Sequence, residues 1–130
     1  MGAVYADTSA VARILLAEPD ARAIATVLAE ADQVVSSRLL AVELRRLARR
    51  RDLSAAAEQL LQSVALVPID HEICRSADEI APDSVATLDA IHLATAVRAQ
   101  AVRPLSGVLT YDTRLADGAR HHGLHVLQPA

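Results

Sequence analysis

Four of the sixteen acidic residues in this 130-residue chain stand where a carboxylate can do chemistry rather than solvate a surface. Asp7 directly follows the apolar run Val4-Tyr5-Ala6, which puts it at the carboxyl end of an expected strand. A helix N-cap is the competing role, with Thr8 and Ser9 also suited to it. Glu43 follows Leu39 and Leu40 by four and three residues and precedes Leu47 by four, offsets that set it on the apolar face of a helix. A carboxylate buried there is costly without a cation or hydrogen bonds. The alternative is a surface pair with Arg46, one turn on. Asp89 sits in the first turn of an almost wholly apolar helical stretch, Leu88–Ala96, with His92 and Leu93 one turn away. Favourable placement in the helix dipole, worth ~0.3–1 kcal/mol, is the bland explanation. His92 could hydrogen-bond a neighbouring carboxylate, although a satisfied core histidine is the commoner fate. Asp112 repeats the arrangement of Asp7 after Val108-Leu109-Thr110, again with an N-cap as the alternative. Asp117 is a further acid nearby whose helical position suits a solvated face.

Two strand-end aspartates and two helix-borne acids can converge at one edge of a sheet. Gathered like charges repel and raise one another's pKa, and a divalent cation is the natural neutraliser. An all-oxygen ligand set, with no cysteine cluster and no histidine pair at ligand spacing, suits Mg2+ or Mn2+ rather than zinc. Such a centre is fitted to phosphoryl transfer, where the ion acidifies a water and holds phosphodiester oxygens.

The elements that must position these acids alternate along the chain. Strands are expected at Ala3–Ala6, Gln33–Ser36, Val64–Ile69, Val108–Thr110 and His125–Leu127. Helices are expected at Ala10–Ala17, Asp20–Ala31, Arg38–Arg50 and Ser54–Ser63, the last with Ser54 as N-cap. Further helices run from an Asp70 cap through Ile80, from a Thr87 cap through Ala101, and over Arg114–His122 to a stop at Gly123. Strands alternating with helices predict an α/β fold whose parallel sheet is covered on both faces, in one domain over residues 1–130. Ligands of such a sheet lie beyond the carboxyl ends of its strands.

Composition narrows the function further. Hydrophobic residues make up 52% of the chain but aromatics only 2%, so the core is Leu, Val, Ile and Ala, and base-stacking RNA modules are disfavoured. All 13 basic residues are Arg, which excludes chemistry that depends on a lysine. A net charge of −3 means that nucleic-acid binding requires a local basic patch. Arg45, Arg46, Arg49, Arg50 and Arg51 supply one, running from the Glu43 helix into its following turn. Arg45, Arg46 and Arg49 are the expected RNA contacts, against the alternative of a solvated face. The lone Cys74 excludes an intrachain disulfide and reads as a small buried hydrophobe. No secretory leader or membrane-length apolar run is visible, so a cytoplasmic protein without a membrane association is expected.

The order Asp7-Thr8-Ser9, Glu43, Asp89-Ala90-Ile91-His92-Leu93-Ala94-Thr95-Ala96, Thr110-Tyr111-Asp112-Thr113-Arg114-Leu115 and Gly123-Leu124-His125-Val126-Leu127 resembles the PIN-domain proteins, and among them the VapC-type toxins of bacterial toxin–antitoxin pairs. The resemblance spans nearly the whole chain. It implies a three-layer α/β/α domain with a central parallel sheet, and a Mg2+- or Mn2+-dependent endoribonuclease with an acidic quartet of Asp7, Glu43, Asp89 and Asp112. It further implies Asp7 and Asp89 as direct metal ligands, with Glu43 and Asp112 holding metal-bound waters or a second ion. Ser9 and Thr110 resemble the family's hydroxyls beside the first and fourth acids. Homodimerisation and inhibition by a cognate antitoxin are also implied. The alternative is a catalytically silent PIN-fold module that binds RNA or protein. A phosphoaspartyl enzyme fits poorly, because Ser9 stands where a second aspartate is wanted and lysine is absent.

Overall fold

The computed structural model describes residues 2–130; Met1, the first residue of the expected domain, lies outside them. Five parallel strands form the sheet: β1 (Ala3–Ala6), β2 (Gln33–Ser37), β3 (Val64–Val67), β4 (Leu105–Leu109) and β5 (Val126–Leu127), in the order β3-β2-β1-β4-β5. Seven helices flank it: α1 (Thr8–Leu15), α2 (Ala21–Glu30), α3 (Arg38–Arg51), α4 (Ser54–Gln62), α5 (His71–Glu79), α6 (Thr87–Val102) and α7 (Thr113–His121). The expected α/β/α architecture with a parallel sheet is the architecture found.

The two-residue period of a strand distributes its side chains between two cores. Val4 and Ala6 of β1, Val34 of β2 and Leu109 of β4 pack with α1 to α4. Tyr5, Val35 and Val108, their immediate neighbours, pack on the opposite face with α6 and α7. Both faces of β1 are therefore buried, which is why Ala3-Val4-Tyr5-Ala6 is an unbroken apolar run rather than an alternating one. β1 is central, and the strand order reverses between it and β4. The crevice outside their carboxyl ends is thus the topological switch point where ligands of open parallel sheets bind.

Local boundaries depart from the sequence expectations for identifiable reasons. α1 starts at Thr8, immediately after Asp7, whose side chain caps it by accepting from the Ala10 amide. β3 ends at Val67 because Pro68 has no N–H to continue the ladder. Ser54 and Thr87 are the first residues of their helices, and neither α4 nor α6 has a side-chain cap. Cys74 is exposed, since Ile73 takes the inward position on α5. No helix among the described residues is long and apolar enough to cross a membrane.

Gly107 in β4 marks a close approach. A Cβ there would lie 2.6 Å from Leu127 Cγ and 3.2 Å from the His125 carbonyl oxygen, so the two-residue β5 could not keep its register beside a larger residue. Gly107→Ala should cost about 1–3 kcal/mol, the usual penalty for overpacking. Urea denaturation of both proteins checks this; equal midpoints would show that β5 is held independently of β4.

Candidate acidic active site

Asp7 is a carboxylate only 2% exposed at the end of the central strand. Burial raises its pKa, opposed by hydrogen bonds from Ser9, Thr110 and the Ala10 amide and by the nearby His92. Those bonds divide unequally between its two oxygens. Oδ1 accepts from the Ser9 hydroxyl at 2.7 Å and from the Ala10 amide at 3.3 Å, while Oδ2 accepts only from the Thr110 hydroxyl at 2.9 Å. One oxygen caps the helix and the other keeps a lone pair free, so the cap and the functional role are compatible. The Ser9 and Thr110 hydroxyls lie 3.4 Å apart; the Ser9 hydroxyl also accepts from the Tyr111 amide at 2.8 Å, and Thr110 Oγ1 from the Asp112 amide at 3.1 Å. The β4 end is thereby clamped against the start of α1, and both hydroxyls serve Asp7.

Glu43 projects from the second turn of α3 with 28% of its side chain exposed. Its Oε1 accepts from the Thr8 hydroxyl at 2.6 Å and lies 3.1 Å from His92 Nε2; Arg46 does not pair with it. His92, almost fully buried on α6, lies 2.8 Å through Nδ1 from the Tyr5 hydroxyl, which accepts from the Ser37 amide at 3.2 Å. Burial pushes the Tyr5 hydroxyl well above its ordinary range, so it stays protonated. In the neutral ring, Tyr5 donates to Nδ1 and Nε2–H donates to the carboxylate, which satisfies every member of the chain. Burial alone would raise the Glu43 pKa, but the His92 and Thr8 bonds outweigh it and hold it below the usual value. The expectation that crowding raises every acid of the quartet therefore fails at Glu43.

Asp89 behaves in the opposite way. Among the described residues no hydrogen-bond donor reaches its carboxylate, and it is pushed up to about 6, first by partial burial and then by the charges of Asp112, Asp7 and Glu43. Those three influences bring the four acids to one electrostatic neighbourhood. Asp112 caps α7 by accepting from the Leu115 amide through Oδ1 at 2.8 Å, which leaves Oδ2 open. Asp117 instead lies 3.5 Å from Arg120 on the exposed side of α7.

The donor set fits a hard divalent cation. Each of the four acids retains an oxygen without a protein hydrogen bond or with room for another ligand. As placed, no three of the Asp, Glu, His and Cys side chains among the described residues already cage one ion. An ion binding here must keep several waters or draw the carboxylates inward, and a water-rich octahedral shell is the coordination Mg2+ favours.

The basic stripe divides. Arg45 is held by Glu58 of α4 in an exposed two-pronged pair, with both bonds at 2.9 Å. Arg46 and Arg49 are joined by Arg50 around a separate concavity. His92 does bond a neighbouring carboxylate, Glu43, while Tyr5 and Thr8 are the supporting residues that local spacing did not mark for this role.

Glu43 and Asp89 should differ in sign when neutralised in the metal-free protein. A lowered folded pKa means that Glu43 contributes stability above about pH 4.3, which is lost as pH falls through its folded value. Glu43→Gln should accordingly lower the melting temperature by a few degrees at pH 7.5. A raised folded pKa means that the relative stability due to Asp89 is present below ~3.9 and lost as pH rises through about 6. Asp89→Asn should accordingly melt a few degrees higher than wild type at pH 7.5, with the gap closing towards pH 4. Melting curves in EDTA from pH 4 to 8 check both; shifts of the same sign would show that the two acids share one environment.

The PIN domain family matches residues 4–121. Over 133 aligned residues the chain is 34% identical to "Ribonuclease VapC47" of Mycobacterium tuberculosis, covering 97% of this chain and 96% of that protein. It is also 34% identical to "Ribonuclease VapC46" of the same organism over 132 residues, covering 100% of both. Its fold is similar to that of a solved chain described as "Toxin-antitoxin complex from Klebsiella pneumoniae", with a TM-score of 0.71, 18% identity and 98% of each chain covered. With its doubly covered parallel sheet and its acids at the β1/β4 switch point, the chain belongs to the PIN-domain family, among the VapC proteins.

Proposed function

We propose that this protein is an endoribonuclease, the toxin of a VapBC-type toxin–antitoxin pair, which hydrolyses RNA phosphodiester bonds with Mg2+ or Mn2+ held by Asp7, Glu43, Asp89 and Asp112. The observation that carries this reading is Asp89: an acid with no hydrogen-bond donor among the described residues, whose pKa partial burial and then the charges of Asp112, Asp7 and Glu43 raise to about 6. The near-full-length likeness to proteins named as VapC ribonucleases supports the substrate class.

In this reading Asp7 Oδ2 and Asp89 are the direct ligands. Ser9 and Thr110 fix the Asp7 carboxylate so that it meets a cation without reorganising, the contribution usual for groups that orient ligands. Glu43, held by Thr8 and His92, presents its second oxygen to a water or a second ion, and Asp112 does the same from the α7 cap. When bound, the divalent ion would neutralise phosphodiester charge and lower the pKa of the attacking water. The chain acts as a single domain and as a homodimer, inhibited by a cognate antitoxin protein. The presence of an acid at every quartet position favours this reading over the silent binding module.

Asp89→Asn should fold and bind RNA but release no cleavage products above background on gels. Activity of the wild type should disappear in EDTA and return with Mg2+ or Mn2+, and poorly with Ca2+, whose looser shell lacks the octahedral geometry at ~2.0–2.1 Å that Mg2+ demands. Cleavage by the folded Asp89→Asn protein at the wild-type rate would remove the metal centre from the proposal and favour a different catalytic site.

A further inference from the structure

We infer that Arg46, Arg49 and Arg50 form a binding site for the sugar–phosphate backbone of the substrate, so that a single RNA strand runs from the acidic centre along α3. The inference rests on the ribonuclease reading and adds the path of the strand to it. The three guanidinium-bearing side chains surround one concavity of about 370 Å3. Arg13, Arg45, Arg98, Arg103 and Arg120 each pair with a carboxylate; the other eight arginines make no ion pair among the described residues, and Arg46, Arg49 and Arg50 are the three of those eight that line one concavity together.

Helix geometry links the concavity to the site. At 100° per residue, Arg50 lies within about 20° of the Glu43 direction around α3, and Arg46 within about 60°. At 1.5 Å per residue Arg46 stands roughly 4.5 Å, and Arg50 roughly 10 Å, beyond Glu43 along the helix axis. Of the buried positions, Leu40, Leu44, Ala48 and Ala41 lie about 60–160° from Glu43 on one flank, while Leu39 in the first turn lies about 40° to the Arg46 side. Glu43, Arg46 and Arg50 therefore form a line at the edge of the buried face, with Arg49 flanking it towards solvent. The helix dipole accounts for basic residues in the last turn. It does not account for Arg46, three residues before the first of them, or for the convergence of three unpaired arginines on one hollow. A protein of net charge −3 with an acidic centre repels RNA unless a fixed positive surface adjoins that centre. Arginine forks are the side chains best matched to phosphate oxygens, and the low aromatic content leaves backbone contact as the main source of affinity.

The test uses the wild-type protein with Mg2+ and a 2′-O-methylated single-stranded oligonucleotide, which binds without being cut, with affinity read by fluorescence anisotropy between 50 and 200 mM salt. Replacing Arg46, Arg49 and Arg50 together by Gln should reduce the slope of log affinity against log salt by about 2, at roughly 0.7 per lost phosphate contact. Arg45→Gln, the ion-paired neighbour, should leave the slope unchanged. On cleavable RNA the triple variant should raise KM and keep kcat. An unchanged slope in the triple variant, or an equal loss in Arg45→Gln, would overturn the proposal. So would weakened binding of an acidic protein partner with RNA binding intact. Failure of the ribonuclease reading is separately visible as cleavage by Asp89→Asn that matches wild type.

Discussion

The Asp7 carboxylate is enclosed at the junction of β1, α1 and β4, and most of the site's geometry is fixed by how it is satisfied. Asp7 N–H donates to the Leu109 carbonyl, so the backbone itself ties β1 to β4 at this point. The side chain then caps α1 through one oxygen and is gripped through the other by Thr110. Burying a carboxylate is unfavourable unless its oxygens are paired. Here the pairing is also what aligns two strand ends and a helix start. The acid and the secondary structure around it therefore stand or fall together, and a residue of the same size without two acceptor oxygens could not do both.

From that point the site separates into a supported half and an unsupported half. Glu43 is held in its charged form by Thr8 and by the buried His92–Tyr5 chain, which reaches back to the first amide of the α3 cap. Asp89 receives no such help and carries the repulsion of its neighbours. A set of acids that were all satisfied internally would have no use for a cation. A set that were all unsatisfied would destabilise the fold or titrate to neutrality. The mixture keeps the structure intact while reserving unneutralised charge at the mouth of the crevice.

Much of this arrangement was legible in local sequence because its determinants are local. The apolar run before Asp7 marks the strand end, and the leucines around Glu43 place it towards the core side of α3. The alternation of strand and helix gives the three-layer sheet. What could not be read is what joins distant segments. His92 meets Glu43 across 49 residues and Tyr5 across 87, so helix spacing allowed it a carboxylate partner without naming which one. Arg45 finds Glu58 on the next helix, a pairing no periodicity on α3 could announce. Cys74 was misjudged because residue type suggested burial, whereas its helix turns Ile73 inward instead. The opposite shifts of Glu43 and Asp89 follow from those distant partners, which is why a uniform rise across the quartet was the natural but incorrect expectation.

The central claim is that the open oxygens of Asp7 and Asp89 meet at one divalent cation. Crystals grown or soaked with Mn2+ and measured at its absorption edge locate that ion directly. The account predicts an anomalous peak in the β1/β4 crevice within direct bonding distance of Asp7 Oδ2 and an Asp89 oxygen, and its loss in Asp89→Asn. A peak confined to another part of the molecule, or an empty crevice at Mn2+ concentrations that support full cleavage, would contradict it.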